Sequence, residues 1–281
     1  MKGSGPVFSF EFFPPKTEEA TIELYETIRE VKKLNPGYIS VTYTPGGATR
    51  DKTIRIVERA KREMEIESMA HLTCVGHSQQ EIKSILDELK RSGVENVIAL
   101  RGDPPPGEAS FKPHPEGFKH ASELTRFIRS SYPFCIAVAG YPEGHSESPS
   151  RDEDWNHLRE KVMAGGDFII TQLFFDNRDF FTFEKRMREK GVTVPIIPGI
   201  MPITNYSQIL RFSRVCGANI PETVVRDLET IQNDHDAVQQ YGIALATRQC
   251  RELIAHGAPG IHFYTLNKSK SSQRIYENLQ S

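Results

Sequence analysis

The chain has 281 residues, 38% of them hydrophobic, and its 35 Lys and Arg nearly balance 37 Asp and Glu to a formal charge of −2. A chain this long and this apolar can bury a sizeable core without metal or disulfide staples, and without blocks of like charge it offers no stripe for tracking phosphates, so nucleic acid is not an expected partner. Cys74, Cys135, Cys216 and Cys250 form no C-x-x-C pair and no apolar run reaches membrane-spanning length, which predicts reduced thiols, no metal, no membrane contact and a cytoplasmic location.

In chain order, short runs rich in β-branched and aromatic residues stand at VFSFEFF (7–13), YISVTYT (38–44), SMAHLTC (68–74), NVIALRGD (96–103) and CIAVAGY (135–141). Three more follow at FIITQLFF (168–175), PIIPGIMP (195–202) and GIHFYTLN (260–267). The segments between them are charged, with apolar residues three and four apart. In the first, Ile22, Tyr25, Ile28 and Val31 or Lys32 trace one stripe and predict a helix. Ser78, with Glu81 three residues on, forms a capping box before another periodic stretch, and Gly93 closes it.

Apolar runs without strict alternation imply strands buried on both faces, and regular strand–helix alternation implies parallel strands joined by right-handed crossovers. Eight such units predict an α/β fold, a (β/α)8 TIM barrel, as one domain over residues 1–281. Two irregularities stand out. PPPGEASFKPHPEG reads as a long loop after the fourth strand, and there is room for two or three extra helices between the seventh and eighth strands. These helices would start near Asn205 and Pro221 and run through DAVQQYGIALATRQCRELIAHG. An open doubly wound sheet is the alternative, but the first strand leads into EFFPPK where that fold places a glycine-rich cofactor turn.

Catalytic groups of a barrel stand at the C-terminal ends of its strands, and polar residues interrupt the apolar runs there: Glu11, Thr42, Tyr43, His71, Arg101, Asp103, Tyr141 and Gln172. Glu11 among phenylalanines is the most informative. Desolvation there would raise its pKa and keep it protonated as a general acid; alternatively the strand turns it outward to a basic residue. Asp103 is either part of the site or an internal ion pair at the Arg101-Gly102 turn. A buried Gln172 needs a hydrogen-bond partner, His71 and His145 are more often core or loop histidines than ligands, and Trp155 is expected to pack against the barrel.

Taken together, SFEFFPPK, VTYTPGG, AHLTC, LRGDPP, GYPEGH, FIITQLFFD, PIIPGIMP and HFYTLN resemble, in order and spacing, the methylenetetrahydrofolate reductase family along nearly the whole chain. The resemblance implies an enzyme that binds FAD, takes a hydride from NADH or NADPH, and passes it to 5,10-methylenetetrahydrofolate by ping-pong exchange to give 5-methyltetrahydrofolate, within one-carbon metabolism and methionine biosynthesis. It makes Glu11 the acid that protonates the folate's bridging nitrogen and Asp103 the carboxylate beside the flavin and pterin rings. Gln172, Gln208, Phe212 and Lys268 match folate-contacting positions. Thr42, Tyr43, His71, Arg101, Gly102, Asp103, His120, Ala121, Tyr141, His145, Asp154, His157 and Lys161 match FAD positions, with Arg101 and Lys161 suited to the pyrophosphate.

Lys268 stands where many members carry arginine, and His120 and His157 stand where some carry tyrosine and asparagine, so these contacts depart from the pattern. The chain stops soon after the eighth strand, and the S-adenosylmethionine-binding regulatory domain of eukaryotic members is not expected. A proline dehydrogenase-type FAD barrel and a non-catalytic folate- or flavin-binding module are the rival readings. A homo-oligomer is compatible with the sequence, which does not fix the subunit count.

Overall fold

The structure, a computed structural model, describes residues 5–43, 47–104 and 111–280, with the side chains of residues 47–49 excepted. Residues 44–46 of the VTYTPGG motif and residues 105–110 of the long loop, including Pro105 of LRGDPP, lie outside the described residues. Strand and helix alternate as β1 (Val7–Phe12), α1 (Glu18–Lys32), β2 (Tyr38–Val41), α2 (Gly47–Arg62), β3 (Ser68–Thr73), α3 (Gln79–Arg91) and β4 (Asn96–Leu100). They continue as α4 (Ala121–Ser131), β5 (Cys135–Gly140), α5 (Arg151–Met163), β6 (Phe168–Thr171) and α6 (Asn177–Glu189). The last third holds β7 (Ile196–Ile197), β8 (Gly199–Ile200), α7 (Tyr206–Cys216), α8 (Glu222–Ile231), α9 (His235–Ala255), β9 (Gly260–Tyr264) and α10 (Lys270–Gln280).

All pairings are parallel, in the order β7-β6-β5-β4-β3-β2-β1-β9-β8. Where eight strands are expected there are nine segments, because the seventh strand is split at Pro198. Proline has no N–H to donate, so the ladder breaks there. Its carbonyl still accepts from His262 N at 2.9 Å. Since β7 pairs with β6 and β8 with β9, the two halves close the barrel between them.

Helices cover the outside. In α1 the buried residues are Leu24, Tyr25, Ile28 and Val31, while Ile22 is 61% exposed. The expected stripe therefore had the wrong first member: at roughly 100° per residue, Ile22 lies about 160° around the helix from Leu24. The α3 capping box is present, with Ser78 Oγ accepting from Glu81 N at 3.2 Å and Glu81 Oε2 accepting from Ser78 N at 2.8 Å. Trp155 packs edge-on against Phe183 and donates from Nε1 to Tyr141 O at 3.0 Å.

Three helices fill the gap between the seventh and last strands, with Asn205 capping α7 and Pro221 preceding α8. They build a satellite apolar cluster of their own over the barrel rim, containing Ile203, Ile209, Val224, Leu228 and Val238. A separate cluster, Met69, Ile98, Ala137, Phe168, Ile170 and Ile197, comes from facing strands and plugs the barrel interior. Among the described residues no helix is long and apolar enough to cross a membrane.

Candidate active site

A cavity of about 540 Å³ opens at the C-terminal ends of the strands, the size and place expected of a small-molecule site in this architecture. Glu11, Thr42, Tyr43, His71, Arg101, Gly102, Asp103, Tyr141, His145, Gln172 and Phe212 all line it. Gln208 and Lys268 line a neighbouring pocket of about 340 Å³, which meets the first at Tyr264, Thr265 and Leu266. Five other expected residues line neither pocket, Lys161 among them: His120 and His157 are exposed, Ala121 is half-buried at the start of α4, and Asp154 is buried on α5. Lys161 also lies on α5, behind the cavity wall, where its Nζ donates to Ala139 O at 2.5 Å.

Glu11 sits inside the barrel because side chains alternate across a strand. Phe10 and Phe12, its neighbours in sequence, point into the layer between barrel and helices, leaving Glu11 to face the interior. There Glu11 Oε2 lies 3.2 Å from His71 Nε2, 3.4 Å from His262 Nε2 and 3.5 Å from Ser40 Oγ. The His71 nitrogen is buried and close, yet not aligned for a hydrogen bond. On its other side, His262 Nδ1 shares a 2.8 Å hydrogen bond with Ser9 Oγ, in keeping with the β1–β9 register that sets Ser9 beside His262 and Glu11 beside Tyr264.

This arrangement reverses the expectation of a raised pKa. Burial is the largest influence and pushes the Glu11 carboxyl up, but the charge and close approach of His71, with the hydrogen bond and charge of His262, together outweigh it, bringing the carboxyl from 4.5 to about 2. At neutral pH these surroundings favour the carboxylate form of Glu11. The reading of an outward-turned Glu11 paired with Lys or Arg is also not what the fold contains.

The adjoining wall, from β4 onward, carries the cations. Arg101, at the end of β4, ion-pairs through Nη1 with Glu147 Oε2 at 2.5 Å and has its guanidinium 5.0 Å from the centre of the Phe111 ring. Gly102 takes φ +87, and a Cβ there would come within 2.5 Å of Val75 Cγ1, so only glycine makes this turn and presents Asp103 exposed at the rim. Burial, opposed by Asp154, pulls the Lys161 ammonium down from 10.5 to about 8. Among the described residues no carboxylate lies within ion-pair distance of it, and Asp154 Oδ2 and Thr73 Oγ1 are buried without a hydrogen-bond partner. Buried polar atoms left this way ask for a ligand or ordered water.

An apolar, ring-lined cavity flanked by Arg101, Lys161 and orphaned polar atoms fits a planar cofactor carrying phosphates, of the FAD kind. Two expected contacts are committed elsewhere: the Tyr43 hydroxyl is hydrogen-bonded to His77 Nε2, and Gln172 Oε1 accepts from Leu173 N at 2.9 Å, leaving its amide NH2 for a ligand. No group of His, Cys, Asp and Glu able to hold a metal occurs among the described residues.

Sequence reasoning missed His262, Ser9, Ser40 and Tyr264. Tyr264 lines the cavity and donates to Thr171 O at 2.7 Å, a close approach that Gly199 permits, since a Cβ there would lie 2.2 Å from Thr171 O. A signal did exist: His262 and Tyr264 are two apart on one strand, as Ser9 and Glu11 are on another, the spacing that sends both to one face.

The chain matches the methylenetetrahydrofolate reductase family over residues 2–280. It is 42% identical over 284 residues to a probable methylenetetrahydrofolate reductase (NADH) of Oryza sativa subsp. japonica and 41% identical over 283 residues to methylenetetrahydrofolate reductase (NADH) 1 of Arabidopsis thaliana; each match covers 97% of this chain and 48% of the relative. A probable methylenetetrahydrofolate reductase (NADPH) of Caenorhabditis elegans is 37% identical over 280 residues, covering 97% of this chain and 42% of the relative. The chain thus spans about half the length of the curated relatives it matches. Among solved structures, an uncharacterized protein from Clostridium thermocellum that binds two copies of 5-methyl-5,6,7,8-tetrahydrofolic acid shares the fold, with a TM-score of 0.62 and 17% identity over 98% of this chain and 94% of that one. With a family match from end to end and relatives near 40% identity across the barrel, this chain belongs to the methylenetetrahydrofolate reductase family.

Proposed function

We propose that the barrel reduces 5,10-methylenetetrahydrofolate to 5-methyltetrahydrofolate with a hydride from NADH or NADPH, relayed by FAD at the cavity mouth. The observation that carries this reading is the pairing, in one cavity, of a carboxylate clasped by two histidines with an arginine-bearing rim beside an apolar floor. When bound, the flavin supplies a two-electron carrier that accepts hydride from one substrate and gives it to the next. The chain's own residues do the rest.

Arg101 and Lys161 provide positive charge for the cofactor's phosphates, and Asp103 places negative charge at the rim beside the rings. Gln172, Gln208, Phe212 and Lys268 are assigned to the folate. The two connected pockets suit its shape, with flat rings in the larger and the anionic tail near Lys268 in the smaller. Lysine offers a point charge there in place of a two-pronged fork.

Ring opening of the folate needs a proton on its bridging nitrogen, and a carboxylate held near 2 has none to give. Glu11 therefore takes up that proton when the substrate binds and passes it to the folate, its carboxyl positioned by His71 and His262 at 3.2 and 3.4 Å. Folate covering the mouth expels water and strengthens the burial that already pushes Glu11 upward, favouring the protonated carboxyl when it is needed.

The test is anaerobic. Protein loaded with FAD should lose its yellow colour on addition of NADH or NADPH and regain it on addition of 5,10-methylenetetrahydrofolate, with 5-methyltetrahydrofolate as product. Loss of colour with nicotinamide but no recovery with the folate would remove the substrate assignment; no FAD uptake would remove the cofactor.

A further inference from the structure

Residues 141–150 join β5 to α5 in tight turns, with Ser148 N donating to His145 O at 2.9 Å and Gly144 N to Tyr141 O at 3.0 Å. Two side chains of this segment reach the groups that the cofactor reading reserves for a ligand. Glu147 Oε2 accepts from Arg101 Nη1 at 2.5 Å, and Ser148 Oγ donates to Asp154 Oδ1 at 3.4 Å. The segment is itself held to the cavity wall: Glu147 N donates to His145 Nδ1 at 3.1 Å, and His145 stands edge-on to the Tyr141 ring with centroids 4.7 Å apart. A wall-anchored turn therefore delivers the Glu147 carboxylate to Arg101, which makes no other ion pair among the described residues.

A guanidinium presents the same planar fork of N–H donors to a carboxylate and to a phosphate, so the two compete for one edge. We propose that Glu147 is a built-in competitor for Arg101, occupying the guanidinium until the diphosphate bridge of the cofactor displaces it, so that this acid sets how tightly the dinucleotide is held. The inference rests on the FAD reading above.

The geometry makes displacement easy. The Glu147 side chain is 47% exposed and that of Arg101 27%, so water screens their attraction and the net gain from the pair is small. A diphosphate brings more charge to the same donors and displaces it, whereas a singly charged small anion gains little over the resident carboxylate. Glu147 thus keeps Arg101 from standing as an unpaired half-buried cation and selects against weak anions. Once displaced, its charge would face the diphosphate, so the side chain turns to solvent.

The measurement is titration of apoprotein with FAD, read by quenching of flavin fluorescence, with inorganic pyrophosphate as a second probe competing for the site. Four proteins are compared: wild type, Glu147→Gln, Arg101→Gln and the double variant. Glu147→Gln should tighten FAD binding by about 3- to 5-fold, mainly through faster association, and lower the pyrophosphate concentration needed to compete by a similar factor. In the Arg101→Gln background the same change should have no effect.

Weaker FAD binding in Glu147→Gln would overturn the proposal, because Glu147 would then be holding Arg101 in place for the cofactor. An equal gain with Arg101 absent would overturn it too, since the effect would be general repulsion and not competition. Wild-type protein that binds no FAD would remove the cofactor reading and this inference together, an outcome plainly different from binding that Glu147→Gln weakens.

Discussion

On the wall of the cavity made by β1, β3 and β9, the Glu11 carboxylate meets His71 at 3.2 Å and His262 at 3.4 Å, with Ser9 fixing the far nitrogen of His262. On the wall made by β4, β5 and α5, among the described residues, Lys161 donates to a carbonyl, Asp154 Oδ2 finds no partner, and Arg101 is held by a half-exposed acid from a neighbouring loop. On the proton side the carboxylate already has imidazoles beside it, although His71 Nε2 and Thr73 Oγ1 are buried without an aligned hydrogen bond among the described residues; on the anion side the cations await a partner of matching charge. Charges that will move a proton are preorganised, at no further cost when the substrate binds. Charges that will hold a ligand stay under-satisfied, which costs the empty fold stability that binding returns.

The comparison breaks most visibly if the anion side does not bind anions. Arg101→Ala should weaken FAD binding by about 10- to 100-fold, the loss expected for a charged hydrogen-bond donor, and leave the fold intact. Equilibrium titration checks it; unchanged affinity would mean the cations on this wall serve the fold alone.

Asp103 tests whether the rim between the walls takes part in hydride delivery. Its exposed position makes Asp103→Asn harmless to stability. The change should slow the folate half-reaction by about 10-fold, because removing negative charge beside the reduced flavin makes hydride departure less favourable, while the nicotinamide half-reaction changes less. Stopped-flow absorbance separates the two, and equal rates in both proteins would take Asp103 out of the reaction.

A smaller effect sharpens the stability side of the contrast. Lys161 has a folded pKa of about 8 against 10.5 unfolded. Below about 8 both states carry the proton and the folded state bears the penalty of a half-buried cation. As pH climbs from 8 to 10.5 the unfolded chain holds more protons, so stability rises. Lys161→Met should abolish that rise and raise Tm at neutral pH by about 2–4 °C, as removal of a poorly paired, half-buried charge does, while weakening FAD binding. A lower Tm at pH 7 would show that Lys161 stabilises the empty fold.

Much of this was legible in the sequence, for reasons that particular residues make plain. The barrel announced itself because its strands are local apolar runs and its helices carry local caps such as Ser78 with Glu81. The split at Pro198 was visible as a residue but not as a break, since it takes the partner strands on either side to reveal that each half pairs differently. Ile22 was misplaced by reading spacing without the helix phase that Leu24 sets.

The site was legible as a set of strand ends and illegible as electrostatics. Glu11 looks desolvated because Phe10 and Phe12 flank it in the chain, yet those rings point the other way, and the groups that govern its charge come from β3 and from His262, 251 positions away. Burial acts through space, and only closure of the barrel brings β1 beside β9. Glu147 was overlooked for the same reason, as its partner lies 46 residues off across a loop.

The central claim is that Glu11 works in the proton step and nowhere else. Glu11→Gln keeps the size of the side chain and part of its hydrogen bonding but cannot carry a proton. Anaerobic single-turnover measurements on this variant should find FAD bound and reduced by NADH or NADPH at near wild-type rates, with reoxidation by 5,10-methylenetetrahydrofolate slowed by about 10²-fold or more. Equal slowing of both half-reactions, or of neither, would contradict the account.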